Sequence, residues 1–367
     1  MDLTVKPSQA LGIILRQIQN RKPTFIWGPP GIGKSELVDT ITYNVLPGNN
    51  LMIDCRLALM DPTDLRGYAW RNEATNTMEW APPADLPSAE LAAQYDNIVL
   101  FLDELNSAPP AVQAAAYQLI LNRRIGQYRL PENVVMLAAG NHQGDRGVTY
   151  RMPAPLANRF RHVSMIVDFD DWKDWALNNQ VHPDVVGYLT FAKQDLFDFN
   201  PKSSSEAWAS PRSWVDVSNA LYNPNFDSAP EYEKKAEVAG SVGDGMAAKF
   251  MEHRRSAGRM PNPESILDGT VKSIDADLKR EVSAVTSLIV SLTYEINDVY
   301  KAKGTAGDFK KFFNNTVRFA YDNMQPEQVI LFFKTIMKDY KIKFNIRQDL
   351  DKDLYKVFSE RYTKYIV

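Results

Sequence analysis

Five short apolar runs punctuate the first half of the chain: "TFIW" from Thr24, "LMIDC" from Leu51, "NIVLFL" from Asn97, "VVMLAA" from Val134 and "HVSMIV" from His162. Each has the length and the β-branched or aromatic content of a strand. The mixed stretches between them are long enough to hold crossover helices. Strands alternating with helical segments predict a parallel sheet covered by helices, an α/β architecture. From Asp171 onward such runs stop. "WKDWALNNQ", "HPDVVGYLTFAKQ", "SWVDVSNALY" and "EKKAEVAGSVGDGMAAKFMEHRR" carry helical periodicity instead, so a helical region follows the sheet. "NPKSSSEAWASP", "AGRMPNPES" and "YKAKGTAGD" interrupt it as loops or joints. No internal repeat or low-complexity segment is present.

A chain of 367 residues exceeds one ordinary domain, and its 44% hydrophobic content is ample for a buried core. No apolar run approaches the roughly 20 residues that span a bilayer, and "MDLTVKPSQ" lacks the layout of a signal peptide, so a cytoplasmic location is expected. A single cysteine, Cys55, excludes an internal disulfide framework and a cysteine-based zinc site, and reads as a small buried hydrophobe. The four histidines, His142, His162, His182 and His253, show no metal-ligand spacing.

The net charge of −3 is unevenly spread. Residues 301–367 carry 14 Lys+Arg against 8 Asp+Glu, and the first 300 residues are correspondingly acidic. "FKKFFNN" and "KTIMKDYKIKF" mix cations with aromatics, as a surface for nucleic acid or an acidic partner would. The interleaved acids favour a plainer reading, a solvated helix face with the aromatics in the core.

Chemistry enters with "GPPGIGKS", Gly28, Pro29, Pro30, Gly31, Ile32, Gly33, Lys34 and Ser35, which fits G-x-x-x-x-G-K-[ST] directly after a strand. The glycines and prolines permit a sharp turn whose successive N–H groups point inward at a phosphate chain. Lys34 then opens a helix, with Glu36 in its first turn, and reaches the β- and γ-phosphates of ATP beside the helix's positive end; Ser35 is placed to ligate Mg2+.

"NIVLFLDELNSAPP" ends a strand in Asp103-Glu104. Carboxylates at that edge are costly unless they serve the ligand crevice of an open α/β sheet. Asp103 is expected to hold Mg2+ and Glu104 to polarise an attacking water, an arrangement suited to hydrolysis. Taken alone, the pair could equally be a turn or helix cap. "VVMLAAGNHQGD" ends its strand in Asn141, whose amide is a candidate for positioning the water or reading the γ-phosphate, with a turn role as the alternative. Arg159, in "MPAPLANRFRHV", is a candidate arginine finger acting on a neighbouring subunit, or a surface salt bridge. In "ASPRSWVDV", Ser210 is read as an N-cap, Pro211 as the first helical residue and Arg212 as lying in the first turn, against the helix dipole. The γ-phosphate or a local carboxylate would compensate it. "AKQD" at 192–195 brushes the guanine-reading pattern but lacks its first residue.

These residues together resemble the AAA+ ATPases, and "IDCRLALMDPTDLRGYAW", "EWAPPADLP", "VLFLDELNSAPPAVQAAAYQLILNRRIGQYRLPENVVMLAAGN", "MPAPLANRFRHV" and "SPRSW" narrow the resemblance to the MoxR-like group. It is strong over residues 10–220 and weak beyond. It implies a P-loop core at 1–168 with strand order 5-1-4-3-2, an all-helical lid at 169–255, and a helical extension at 256–367 that exceeds the minimal family architecture. It also implies two insertions, near 60–87 and 123–132. By the same resemblance Lys34 and Ser35 are Walker A, Asp103 and Glu104 Walker B, Asn141 sensor 1, Arg212 sensor 2 and Arg159 the finger, with Arg146, Arg151 and Arg161 as competitors. It further implies a ring, usually a hexamer, that remodels a protein target with a von Willebrand factor A domain partner. A nucleic-acid translocase or loader using the basic tail or Arg123–Arg124, and a slow nucleotide-switched scaffold, remain the alternatives.

Overall fold

The structure is a computed structural model that describes residues 3–366 apart from Pro82, residues 146–148, Ser204 and residues 306–307. It divides into two compact units, Met1–Asp168 with Asn200–Lys202, and Phe169–Phe199 with Ser203–Val367.

The first unit is the sheet. Its strands β1 (Thr24–Trp27), β2 (Asn50–Arg56), β3 (Asn97–Asp103), β4 (Val134–Gly140) and β5 (Arg161–Ser164) lie in the order β2-β3-β4-β1-β5, all parallel. Read from the other edge this is the expected 5-1-4-3-2. β3 and β4 lie inside the sheet with both faces covered, so their sequences are nearly continuous in apolar residues: Ile98 to Leu102 are fully buried. Helix α1 (Pro7–Gln19) precedes the sheet. Helix α2 (Lys34–Thr40) follows β1 and continues into a π turn at Ile41–Val45. Helix α3 (Pro110–Asn122) follows β3 and buries Val112, Ala115, Ala116 and Leu119 against Phe25, Leu100 and Leu102. Removing side chains of this kind from water stabilises a core by about 1.5–3 kcal/mol for each large one.

The last apolar run behaves differently from its sequence. "HVSMIV" reaches Val167, yet the strand stops at Ser164 because its partner β1 ends at Trp27. Beyond it Met165 pairs with Val5 of the N-terminal segment, and Ile166 N–H donates to the Val5 carbonyl at 3.0 Å. Each of the two stretches expected as insertions contains a hairpin. Tyr68–Asn72 pairs antiparallel with Thr77–Ala81, exposing Tyr68, Trp70 and Met78, and Arg124–Ile125 pairs with Tyr128–Arg129.

The second unit is helical throughout: α4 (Phe169–Asn178), α5 (Pro183–Phe191), α6 (Pro211–Leu221), α7 (Glu231–Val242), α8 (Asp244–Ala257), α9 (Val282–Lys303), α10 (Phe309–Asn323) and α11 (Pro326–Lys334) are its longer elements. The segments 169–255 and 256–367 share this one unit, and Gly187 of α5 lies against Ser287 of α9. The stretch from Glu233 to Arg255 is two helices rather than one. Gly243 breaks it at φ 87°, where side-chain-bearing residues are strained. In the basic tail Phe309, Phe313 and Phe319 are buried while Lys310, Lys311 and Arg318 face solvent, which is the solvated-face pattern. No helix among the described residues is long and apolar enough to cross a membrane.

Candidate nucleotide site

Where β1 ends, the chain turns through Gly28 to Gly33, and Gly33 takes the left-handed conformation (φ 89°) as it caps α2. The turn delivers Lys34 and Ser35 to the C-terminal edge of the sheet. Lys34 Nζ donates to the carbonyls of Gly28 at 2.8 Å and Pro29 at 2.9 Å, and to Asn141 Oδ1 at 2.9 Å. With its oxygen on Lys34, Asn141 turns its amide nitrogen elsewhere as a donor. Ser35 Oγ donates to Asp103 Oδ2 at 3.2 Å, and Glu104 N–H to Asp103 Oδ1 at 2.9 Å. Lys34, Ser35, Asp103 and Asn141 thus meet at the ends of β1, β3 and β4, although residues as far apart as 34 and 141 are involved.

Glu104 is exposed, with a positive φ of 55°. That conformation is costly for a residue with a side chain, and it turns the chain abruptly after β3. The turn is held by Ser107 N–H donating to the Glu104 carbonyl at 2.8 Å and by Leu105 N–H donating to the Ala139 carbonyl at 3.1 Å. Glu36 is exposed in the first turn of α2.

Two histidines without metal-ligand spacing prove to be packing partners. Trp27 Nε1 donates to His162 Nδ1 at 2.8 Å, which leaves His162 Nε2–H to donate to the Ala157 carbonyl at 2.8 Å. Trp27 also stacks on His142, whose pKa is pushed down by burial against an opposing pull from Asp145. Among the described residues no group of three His, Cys, Asp or Glu could form a metal cage. The pair that fits a cation is smaller. Ser35 Oγ and Asp103 Oδ2 are hard oxygens 3.2 Å apart. Adjacent corners of a magnesium octahedron, with bonds of about 2.1 Å, are separated by roughly 3 Å.

The arginine candidates fall in different places. Arg159 follows the short helix Ala154–Ala157 and is exposed, as are Arg151 and Arg161; among the described residues none of the three makes an ion pair. Arg146 lies outside the described residues. Arg212 belongs to the helical unit. There Ser210 caps α6, accepting from Ser213 N–H at 3.2 Å, with Pro211 at the first helical position and Arg212 exposed in the first turn without an ion pair among the described residues.

Arg123 is already engaged. Its Nη2 donates to the carbonyls of Pro131 at 2.6 Å and Val134 at 2.8 Å, so the side chain closes the second hairpin onto β4. Asp195, of the "AKQD" stretch, is buried and accepts from Tyr188 Oη, which accounts for it structurally. Cys55 is 1% exposed, and burial pushes its pKa up to about 12, so it is the inert small hydrophobe expected.

Sequence reasoning passed over Asn106. It sits in the turn after Glu104, is 1% exposed, and donates through Nδ2 to the Asn141 carbonyl at 2.8 Å. A lone amide in "DELNSAPP" looks like turn chemistry, and only the packing of β3 beside β4 reveals its partner.

A parallel sheet in this order, with a glycine-rich turn and Asp-Glu at its C-terminal edge, defines a P-loop nucleotide-binding protein. Residues 23–160 match the AAA domain of the dynein-related subfamily, so this part of the chain is an AAA domain of that type, and the chain resembles proteins of the MoxR type. It is similar to the MoxR protein of Paracoccus denitrificans, 24% identical over 288 residues that cover 73% of this chain and 81% of MoxR. It is also similar to midasin of Giardia intestinalis, 26% identical over 184 residues; these cover 48% of this chain but only 4% of midasin, a far longer protein. Among solved structures, NtrX of Brucella abortus in complex with ADP matches with a TM-score of 0.40 at 14% identity, covering 83% of this chain and 66% of NtrX. The RuvB Holliday junction branch migration motor of Thermotoga maritima matches with a TM-score of 0.35 at 14% identity, covering 71% and 75%. Scores this low carry no argument about function.

Proposed function

We propose that this protein is a Mg2+-dependent ATPase that works as a ring, usually a hexamer, and turns hydrolysis into conformational work on a protein target. The observation that carries the reading is the convergence of Lys34, Ser35, Asp103 and Asn141 at one edge of the sheet. Residues 28–36 wrap the phosphates with backbone N–H groups, and Lys34 moves from its carbonyl and amide partners to the β- and γ-phosphates. Ser35 and Asp103 are the residues that would hold the metal. Bound Mg2+ would supply charge neutralisation on the phosphate oxygens. Glu104 orients and deprotonates the attacking water, and Asn141 places its amide nitrogen near the γ-phosphate.

Arg159 is the proposed finger in trans, with Arg151 and Arg161 equally exposed competitors. Arg212 is the proposed sensor that makes the helical unit respond to the γ-phosphate. The MoxR likeness supports a von Willebrand factor A domain protein as the working partner. The engaged side chain of Arg123 takes one of the two hairpin arginines from the alternative of a nucleic-acid translocase, while Arg124 is exposed.

Turnover tests the reading. The wild type should hydrolyse ATP with Mg2+ and stop when EDTA removes it, and Glu104→Gln should retain ATP while losing about 10²–10⁴-fold in kcat. Unchanged turnover in Glu104→Gln would remove Glu104 from the mechanism. A pull-down with Glu104→Gln in ATP and Mg2+, repeated after nuclease, identifies the partner: a von Willebrand-type protein that survives nuclease supports remodelling, and material that vanishes supports the translocase.

A further inference from the structure

Asn106 is an expensive residue where it sits. Its side chain is almost wholly buried, yet among the described residues only Nδ2 is paired and Oδ1 has no hydrogen-bond partner. A leucine of similar size would fill the same space without the unpaired oxygen but would take the donor from the Asn141 carbonyl, so the amide's one clear gain is its link to the Asn141 peptide. The arrangement around it is specific. Nδ2 donates to the Asn141 carbonyl, the Asn106 carbonyl accepts from Tyr150 N–H at 2.7 Å, and the preceding residue, Leu105, donates its N–H to Ala139. Oδ1 rests against Gly140, where an added Cβ would lie 1.9 Å from that oxygen and 2.9 Å from Phe25 Cζ. The glycine therefore makes room for the amide. On one side of Asn106 is the strained Glu104 turn; on the other is Asn141, whose side chain holds Lys34.

We propose that Asn106 is a positioning residue that fixes the Glu104 turn in register with the Asn141 peptide, so that the water-activating carboxylate and the residues facing the γ-phosphate are held in one geometry. This rests on the ATPase reading above. Every contact through which Asn106 acts is with the protein itself. Its effect is exerted through Glu104 and Asn141, and Gly140 belongs to the same unit because any side chain there would displace the amide.

The test compares Asn106→Leu, Asn106→Ala, Gly140→Ala and the Asn106→Ala/Gly140→Ala double variant in full-length protein. Asn106→Leu should melt near the wild-type temperature, since relief of the unpaired oxygen offsets the donor lost to the Asn141 carbonyl, yet lose about 10–100-fold in kcat, with KM for ATP and the affinity for a fluorescent ATP analogue unchanged. Asn106→Ala and Gly140→Ala should each lower kcat to a similar level, and the double variant should be no slower than the worse single one. Wild-type kcat in Asn106→Leu, a rise in KM at constant kcat, or losses that multiply in the double variant would overturn the proposal. Should Gly140→Ala fail to fold, Asn106→Leu still decides it through the contrast between melting and kcat. If the wild type shows no ATP turnover, the ATPase reading fails separately. Amide hydrogen exchange then decides the linkage: protection lost in Asn106→Leu at both 104–108 and 139–145 supports it, and unchanged protection at either segment rejects it.

Discussion

Two aspartates in the two units meet opposite fates. Asp195, in the helical unit, is 4% exposed and closed upon itself: the Tyr188 hydroxyl donates to it at 2.5 Å and Lys249 Nζ lies 3.3 Å from both oxygens. Asp103, in the sheet unit, is only half-buried; a serine hydroxyl and one backbone N–H donate to it, and it makes no ion pair among the described residues. A buried carboxylate must be neutralised or hydrogen-bonded, and the helical unit meets that need from its own side chains. At the strand edge the same charge is balanced by hydroxyl and amide donors alone. The difference separates a carboxylate closed in by its own unit from one left half-open at the edge of the sheet, as the proposed metal role requires.

Substitutions that leave one side of this contrast intact test it best. The largest effect is expected for Asp195→Ala, which strands the Tyr188 hydroxyl in the core and should lower unfolding stability by about 2–4 kcal/mol in denaturant titration. Nucleotide affinity should not change, because the residues around Asp103 are in the other unit. Lys34→Ala should do the reverse, weakening ATP-analogue binding tenfold to a hundredfold while leaving the melting temperature of the helical unit as it was. Loss of nucleotide binding in Asp195→Ala, or no loss in Lys34→Ala, would dissolve the distinction.

A smaller effect is expected from pH. Burial pushes the His253 pKa down to about 4, against an opposing pull from Asp184, and Nε2 is paired with the Ser287 hydroxyl. An unfolded histidine titrates near 6.5, so the unfolded chain binds more protons than the folded one between those values. Stability is full above about pH 6.5 and falls as the pH drops toward 4, by about 2 kcal/mol between pH 7 and pH 5. His253→Gln should flatten that slope when unfolding is followed across pH. The least effect is expected for Arg318→Ala, which removes exposed pairs with Asp351 and Asp353; melting should barely shift, and less still in high salt.

Much of this was legible in the residue order. Five apolar runs located five parallel strands, and the cap at Ser210 with Pro211 behind it read correctly because both act within one helical turn. Other features were misread or missed for definable reasons. The last strand is shorter than its apolar run, since β1 offers no partner past Trp27 and Val5 takes over. One glycine divides a continuous helical pattern at Gly243, where local periodicity carries no sign of the left-handed φ. Arg123 looked available for phosphate because its carbonyl partners, Pro131 and Val134, are brought to it only by the hairpin.

The sequence by itself determined the glycine-rich turn, because Gly28 to Ser35 are contiguous and their backbone geometry is set by glycine, proline and the helix start. It also determined that carboxylates would stand at a strand end. Only the tertiary structure decided what those groups meet. Lys34 faces Asn141 and Ser35 faces Asp103 because β4 and β3 lie next to one another beside β1, and Asn106 reaches the Asn141 carbonyl for the same cause. Strand neighbours are chosen by pairing and by the burial of apolar faces, which depend on the whole sheet, so contacts across 68 and 107 residues have no counterpart in local spacing.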